Sequence, residues 1–318
     1  MEFKKLIEMI RQEVNEGLKN IPIPDYPRYL YDPIRYSITN NGKRFRPILA
    51  HLTGRANNIE PNDLMNISLA IELLHNFTLV HDDIMDNDTI RYRKKTIHEK
   101  WDSSTAILAG DGIYTIAQII LNKISKNFYS LSKYFNKTTL EICEGQALDK
   151  EFENDNTITR KMYLDMVDKK TGSLLGASAA LPIIYNGGTD ELVNTYEQFG
   201  RCLGKGFQIH DDLLEITTDS QTMGKSLGSD IIKGKQTIMV IMARDNFPSE
   251  WEELLHKSEQ HTLLKNICSF FDKKGIIQET RSILNSYFNL SLDYLNKIDT
   301  IVTDDLVKLV KLIENRTY

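Results

Sequence analysis

Asp82, Asp83 and Asp86 close an apolar run that reads Leu79-Val80-His81-Asp82-Asp83-Ile84-Met85-Asp86. At about 100° per residue, Asp82 and Asp86 stack on one helix face with Asp83 beside them. Carboxylates this close repel and raise one another's pKa unless a cation lies among them. Hard oxygen donors suit Mg2+, which takes one or two carboxylates and completes its shell with water and substrate phosphates. A solvated acidic helix end is the alternative for this stretch alone. A second stretch repeats the pattern: Gln208, Asp211, Asp212 and Glu215 fall at i, i+3, i+4 and i+7 of another apolar helix. Gly200 and Gly204 precede them on nearly the same face, where a missing side chain admits a neighbouring helix or a ligand. Two such faces are expected to form opposed walls of one metal-filled cleft.

Basic residues cluster in four places. Lys43 and Arg46 flank Arg44 and Phe45 in a loop that opens a helix. Guanidinium forks and outward backbone N–H groups suit phosphate there. His75 lies seven residues before Asp82, about 20° away around the helix and so two turns deeper on the same face. Arg91 follows the first acidic stretch, with Arg93, Lys94 and Lys95. Lys170-Thr171 falls inside a predicted helix, and Lys225 and Lys235 lie among glycines after the second acidic stretch, as in a lid that closes on phosphate. Each has a plainer reading: a solvated turn, a core histidine, an arginine that balances nearby acids, a solvated loop. One substrate type, a diphosphate, accounts for all of them with the two acidic faces.

The elements that must position these groups read as helices. Six of the eight prolines lie in the first 61 residues, and after Pro61 none appears before Pro182. Such a stretch with few alternating patterns predicts helix after helix. The spacing predicts helices over 3–19, 32–40, 47–56, 62–87, 103–123, 127–134, 138–153, 158–180, 188–218, 236–246, 249–258, 261–273, 275–296 and 302–315. Loops are predicted over 88–100 and 219–235. With no repeat, low-complexity segment or linker, residues 1–318 read as one all-α domain. The 318 residues are 41% hydrophobic and 26% charged, with net charge -5, which favours no nucleic-acid partner. Cys143, Cys202 and Cys268 form no disulfide framework or metal spacing, so a reducing cytoplasm is expected. The N-terminus reads as an amphipathic helix rather than a signal peptide, and no apolar run is expected to span a bilayer.

These motifs, in this order and spacing, resemble the trans-isoprenyl diphosphate synthases, the family of farnesyl and geranylgeranyl diphosphate synthases. The likeness runs through Gly42-Lys43-Arg44-Phe45-Arg46-Pro47, His75, Asp82-Asp83-Ile84-Met85-Asp86 and Arg91. It continues through Gly145-Gln146, Lys170-Thr171, Phe207-Gln208, Asp211-Asp212, Gly224-Lys225 and Gly234-Lys235-Gln236-Thr237. The resemblance implies a helical bundle around a deep central pocket, a homodimer, and head-to-tail condensation of isopentenyl diphosphate with an allylic diphosphate. It implies that Lys43, Arg46 and His75 bind isopentenyl diphosphate. Asp82, Asp86 and Asp211 would be the principal Mg2+ ligands, supported by Asp83, Asp212 and Glu215. Arg91, Lys170 and Lys225 would hold the allylic diphosphate, Lys235 would belong to the closing loop, and Thr171 and Gln208 would line the reacting carbon.

The chain departs from the family in three places. The family's Arg-Arg-Gly-x-Pro reads Arg91-Tyr92-Arg93-Lys94-Lys95, Glu215 stands for an aspartate, and Asn41 for a glycine. Tyr92 replaces an arginine expected on isopentenyl diphosphate, so that binding is expected to be weakened or rearranged. In the family, residues just before the first acidic motif floor the pocket. Helix angles place Leu74 and Thr78 nearer the metal face than Phe77; the resemblance makes Phe77 the floor, and bulky Phe77 beside small Thr78 looks like the geranylgeranyl (C20) arrangement, with farnesyl and C25 products as neighbours. A class I terpene cyclase and a non-catalytic subunit of a heteromeric synthase are the competing readings. Lys43, Arg46 and Lys235 argue against the first, and retention of both acidic motifs against the second.

Overall fold

The computed structural model describes residues 3–40, 42–217, 234–258, 262–298 and 300–316. In chain order these form α1 (Phe3–Lys19), α2 (Arg28–Ile38), α3 (Phe45–Ala56), α4 (Pro61–Met85), β1 (Ile90–Arg91), β2 (Lys94–Lys95), α5 (Ile97–Lys100), α6 (Ser103–Leu121), α7 (Phe128–Glu151) and α8 (Arg160–Val167). A π-helical segment (Asp168–Gly172) follows, then α9 (Ser173–Tyr185), α10 (Asp190–Thr217), α11 (Ile238–Asn246), α12 (Pro248–Lys257), α13 (Leu263–Lys273), α14 (Ile276–Leu295) and α15 (Thr300–Glu314). The fold is all-α, as the sequence predicts. Two compact units share these helices: Met1–Leu140 with Leu174–Gly200 and Tyr294–Leu309, and Glu141–Ser173 with Arg201–Asp293 and Val310–Tyr318.

The first unit is built on α4. Pro61 occupies the first helical turn, where its missing N–H costs nothing, and the Glu60 carboxylate accepts from Asp63 N at 2.9 Å. The helix then buries Leu64, Ile67, Leu69, Ala70, Ile71, Leu73 and Leu74. On one side α1 lays down Leu6, Ile7, Ile10, Val14 and Leu18, the i, i+3, i+4 stripe of an amphipathic helix. On another α6, capped by Asp102 on Thr105 N at 2.7 Å, packs along it. Gly110 of α6 permits that approach: a Cβ built there would lie 2.3 Å from His81 Nε2. By length and composition, α6 is apolar enough to cross a membrane. Its Ala106, Ala109, Ile113 and Ala117 are buried in the unit, whereas Ile107, Leu108 and Ile119 are exposed.

The second unit is organised around the π-helical segment. A π turn winds each residue by less than an α turn and is frequent at functional sites. Two glycines press on it: a Cβ built on Gly145 would lie 2.3 Å from Lys170 N, and one on Gly204 2.7 Å from Gly172 Cα. Arg201 pins it from α10, bonding Asp168 at 3.0 Å and also Glu141. Beyond it, α11 buries Ile238 through Ala243 without interruption, and Trp251 stacks on Phe271 with ring centroids 5.7 Å apart.

Each unit also buries a histidine in its neutral form. Burial first, and Arg55 second, lowers His51 to about 4; burial, then Arg316, lowers His210 to about 4. The unfolded chain takes up these protons near pH 6.5, the folded chain only near pH 4. Stability present above pH 6.5 is therefore lost as pH falls towards 4, on the order of 1–3 kcal/mol per histidine. Urea denaturation at pH 7 and pH 5 is expected to show a lower midpoint at pH 5, and His51→Gln to reduce the difference. A midpoint independent of pH over that range contradicts this.

Candidate active site

In the first unit the acidic motif occupies the last turn of α4, with Asp86 as its C-cap, its N–H on Asp82 O at 2.9 Å. Asp83 and Asp86 are buried, and Asp82 is partly so. Arg91 reaches back from β1 onto this turn. Its Nε donates to Asp83 Oδ1 at 2.7 Å, and its guanidinium lies 3.7 Å from Asp82 and 3.3 Å from Asp88. Burial pushes Asp83 up to about 6; Asp82 and Asp88 add to the rise and Arg91 opposes it. The carboxylates are thus a group that requires a cation, and a guanidinium supplies one.

The basic loop before α3 separates three residues that sequence treats alike. Arg44, a left-handed residue at φ 56°, turns inward and pairs with Glu72 of α4, both side chains at most 4% exposed. Its Nε also donates to Asn15 at 2.9 Å. Arg44 therefore anchors the loop. Lys43 is exposed, and Arg46 donates to His75 Nε2 at 3.2 Å. An arginine only donates, so Nε2 accepts and the imidazole proton sits on Nδ1. Burial, then Arg46, Arg91 and Arg44, drives the His75 pKa well below its usual value.

The stretch predicted as a loop over 88–100 holds a two-residue ladder, Ile90 opposite Lys95 and Arg91 opposite Lys94, and the short α5. Its turn is Tyr92-Arg93, both left-handed at φ 51° and 61°. Such a two-residue turn favours Asn-Gly, so both side chains sit there at a conformational cost. The turn sends the Tyr92 hydroxyl to the Gly42 loop, 3.6 Å from a Cβ built on Gly42. Arg93 occupies the position where the family has glycine.

In the second unit Lys170, Thr171, Gln208, Asp212 and Lys235 line one cavity. Lys170 Nζ bonds Asp149 Oδ2 at 2.7 Å, and Lys235 Nζ lies 3.8 Å from the same oxygen. A chain of hydrogen bonds runs beside them. Thr171 Oγ1 donates to Gln208 Oε1 at 3.0 Å, Gln208 Nε2 to Asp212 Oδ1 at 3.0 Å, and Tyr163 Oη to Asp212 Oδ2 at 2.6 Å. Asp211, one residue earlier and partly exposed, meets Arg316 at 2.7 Å. That guanidinium lies over the Phe207 ring at 3.8 Å and donates to Phe207 O at 2.9 Å. Both acidic motifs therefore already carry a cationic group.

Sequence reasoning missed Asp149, Tyr163, Glu72 and Arg316. Asp149 had a signal, one helical turn after Gly145 in the quoted Gly145-Gln146 motif. Tyr163, Glu72 and Arg316 had none, since their partners are distant in sequence. Lys225 lies outside the described residues, and among these no three His, Cys, Asp or Glu side chains form a cluster able to hold a metal unaided. Of the chain-length candidates, Leu74 is fully buried, and Thr78 Oγ1 donates to His75 O at 2.8 Å. Phe77 packs on His81 and on Tyr114 of α6, with ring centroids at 4.8 and 5.4 Å.

Comparison with known proteins extends these local observations to most of the chain. Residues 27–270 match the polyprenyl synthetase family model. The chain belongs to the polyprenyl synthetase family. It is 33% identical to the short chain isoprenyl diphosphate synthase of Methanothermobacter thermautotrophicus, over 93% of this chain and 91% of that protein. It is 36% identical to the geranylgeranyl pyrophosphate synthase of Geoglobus acetivorans, over 90% of each. The crystal structure of geranylgeranyl pyrophosphate synthetase from Pyrococcus horikoshii matches with a TM-score of 0.90 at 31% identity, over 99% of this chain and 100% of that one. The resemblance to trans-isoprenyl diphosphate synthases drawn from the motifs is borne out, and the all-α fold is that of the polyprenyl synthases.

Proposed function

We infer that the chain is a prenyltransferase that condenses isopentenyl diphosphate head-to-tail with an allylic diphosphate and releases diphosphate, with geranylgeranyl diphosphate as its product. The observation that carries this reading is the oxygen pair of Thr171 and Gln208, held beside Lys170 and Lys235 in one cavity. Lysines hold a diphosphate leaving group, and neighbouring oxygen dipoles stabilise the allylic cation left when the carbon–oxygen bond breaks. The double bond of isopentenyl diphosphate then attacks, and the proton it loses passes to the departed diphosphate. No side-chain nucleophile is required. Arg46 and neutral His75, whose proton is on Nδ1, bind isopentenyl diphosphate with Lys43. Arg91 and Lys225 join Lys170 on the allylic diphosphate.

The carboxylates fit a hard divalent cation: Asp82, Asp86 and Asp211 offer only oxygen, and guanidinium groups already stand at both motifs. In this reading they hold Mg2+, with Arg91 and Arg316 giving way. When bound, Mg2+ neutralises charge developing on the leaving diphosphate. We read the protein as a cytoplasmic homodimer without a membrane-spanning segment, the exposed Ile107, Leu108 and Ile119 of α6 being covered by a second copy. The deciding test is substrate dependence. Diphosphate release is expected to require both substrates, whereas release from an allylic diphosphate alone indicates a cyclase. No release with either indicates a non-catalytic subunit.

Two residues tune this activity. Tyr92, a neutral donor where the family has an arginine, leaves the isopentenyl diphosphate site one positive charge short. Tyr92→Arg is expected to lower KM for isopentenyl diphosphate by roughly tenfold, with KM for the allylic substrate unchanged; an unchanged KM for both removes Tyr92 from that site. Phe77, five residues before Asp82 and packed on His81 and Tyr114, is the residue that the resemblance makes the chain-length floor. Phe77→Ala is expected to shift the product distribution to longer chains, and a distribution identical to wild type takes Phe77 off the floor.

A further inference from the structure

Gln208 presents a choice that its sequence position does not settle. A carboxamide has one accepting and one donating end, and its hydrogen-bond partners decide which end points where. An allylic cation is stabilised by the oxygen and repelled by the N–H groups. Asp212 decides the orientation: as a carboxylate it only accepts, so it faces Nε2, 3.0 Å away, and Oε1 lies toward Thr171. Thr171 spends its hydroxyl proton on that oxygen, which leaves its own lone pairs available.

Asp212 must in turn be held. It is buried, 7% exposed, and its second oxygen accepts from the Tyr163 hydroxyl at 2.6 Å. Tyr163 is 2% exposed, so its hydroxyl is shielded from solvent and donates to Asp212. Helix geometry explains the meeting. On a regular α-helix Thr171 would lie about 80° around from Tyr163. The π-helical segment between them winds each residue by less and closes that gap, so one stretch of chain presents both ends of the relay.

We propose that Tyr163 is a positioning residue that fixes the Gln208 carboxamide through Asp212, so that the oxygens of Gln208 and Thr171, and no N–H, meet the carbon from which diphosphate departs. This rests on the prenyltransferase reading of the same cavity. Tyr163 lines the same cavity, and in this proposal it acts through Asp212, so its effect falls on the cation-forming step and not on binding.

The test is steady-state condensation with Tyr163→Phe, Gln208→Ala and the double variant. Tyr163→Phe is expected to lower kcat roughly tenfold with KM for both diphosphates within about twofold. In the Gln208→Ala background the same change is expected to cost nothing further, because the group it orients is gone. Asp212→Asn, which leaves Tyr163 in place, is expected to reduce kcat likewise and to absorb the Tyr163→Phe effect; it carries the test if Tyr163→Phe loses its circular-dichroism spectrum. Active wild type with an unaffected Tyr163→Phe, or losses that multiply in the double variants, overturns the inference alone. A wild-type chain that makes no prenyl product overturns the functional reading and this inference with it.

Discussion

Asp82→Asn and Asp211→Asn are each expected to lower kcat by at least about a thousandfold, and Asp82→Asn to do so while the fold survives or gains stability. The loss follows from the reaction. Leaving-group charge must be neutralised as it forms, and a single preorganised electrostatic contact is worth about a hundredfold to a thousandfold, a metal site more. The stability effect follows from the crowding of carboxylates at this turn. Burial, with Asp82 and Asp88 adding to it, pushes Asp83 up to about 6 even with Arg91 on its oxygen. Removing the Asp82 charge relieves that repulsion, so thermal melting of Asp82→Asn is expected at or above the wild-type temperature. Function here is maintained against stability. Rates within about tenfold of wild type would remove these carboxylates from the metal site, and a large fall in the melting temperature of Asp82→Asn would make its role structural.

Glu72→Ala is expected to destabilise the chain by about 3–5 kcal/mol, because it strands the Arg44 guanidinium in the core. The double variant Arg44→Met with Glu72→Leu is expected to recover most of that loss, since it removes both charges and keeps the volume. The functional consequence differs from the stability one. Arg44 is the tether of the loop that carries Lys43 and Arg46. The double variant is therefore expected to fold and still bind isopentenyl diphosphate more weakly. Urea denaturation reads the first effect and KM the second. A single variant as stable as wild type contradicts the buried pair.

Which parts of this were legible in the sequence depends on the range of the interaction. Helix ends set by local chemistry were read closely: Pro61 opened α4, and the stripe of α1 fixed residues 3–19. The break predicted between 134 and 138 does not exist. Asn136 is polar but no helix breaker, and it bonds Tyr114 of α6 at 2.7 Å inside the continuous α7. The π-helical segment was invisible because it changes winding and not composition. The ladder at 90–95 was missed because two-residue strands carry no alternating pattern. The loop predicted over 219–235 lies almost wholly outside the described residues.

Within the site, residue types were legible and their roles were not. Arg44 and Arg46 are two positions apart, yet one is buried on Glu72 and the other meets His75. Asp211 and Asp212 are adjacent, and a rotation of about 100° separates a partly exposed carboxylate from one enclosed by Tyr163 and Gln208. Spacing identifies a charged face; only the partners across the fold say which charge is offered to substrate and which holds the structure.

In the proposed reaction this chain, by itself, joins isopentenyl diphosphate to an allylic diphosphate. Purified protein incubated with labelled isopentenyl diphosphate, dimethylallyl or farnesyl diphosphate and Mg2+, with the products sized by chromatography, tests it most directly. A geranylgeranyl product is expected, and it disappears when the metal is chelated. Label recovered only as unreacted isopentenyl diphosphate, with every primer and with the metal present, would contradict it.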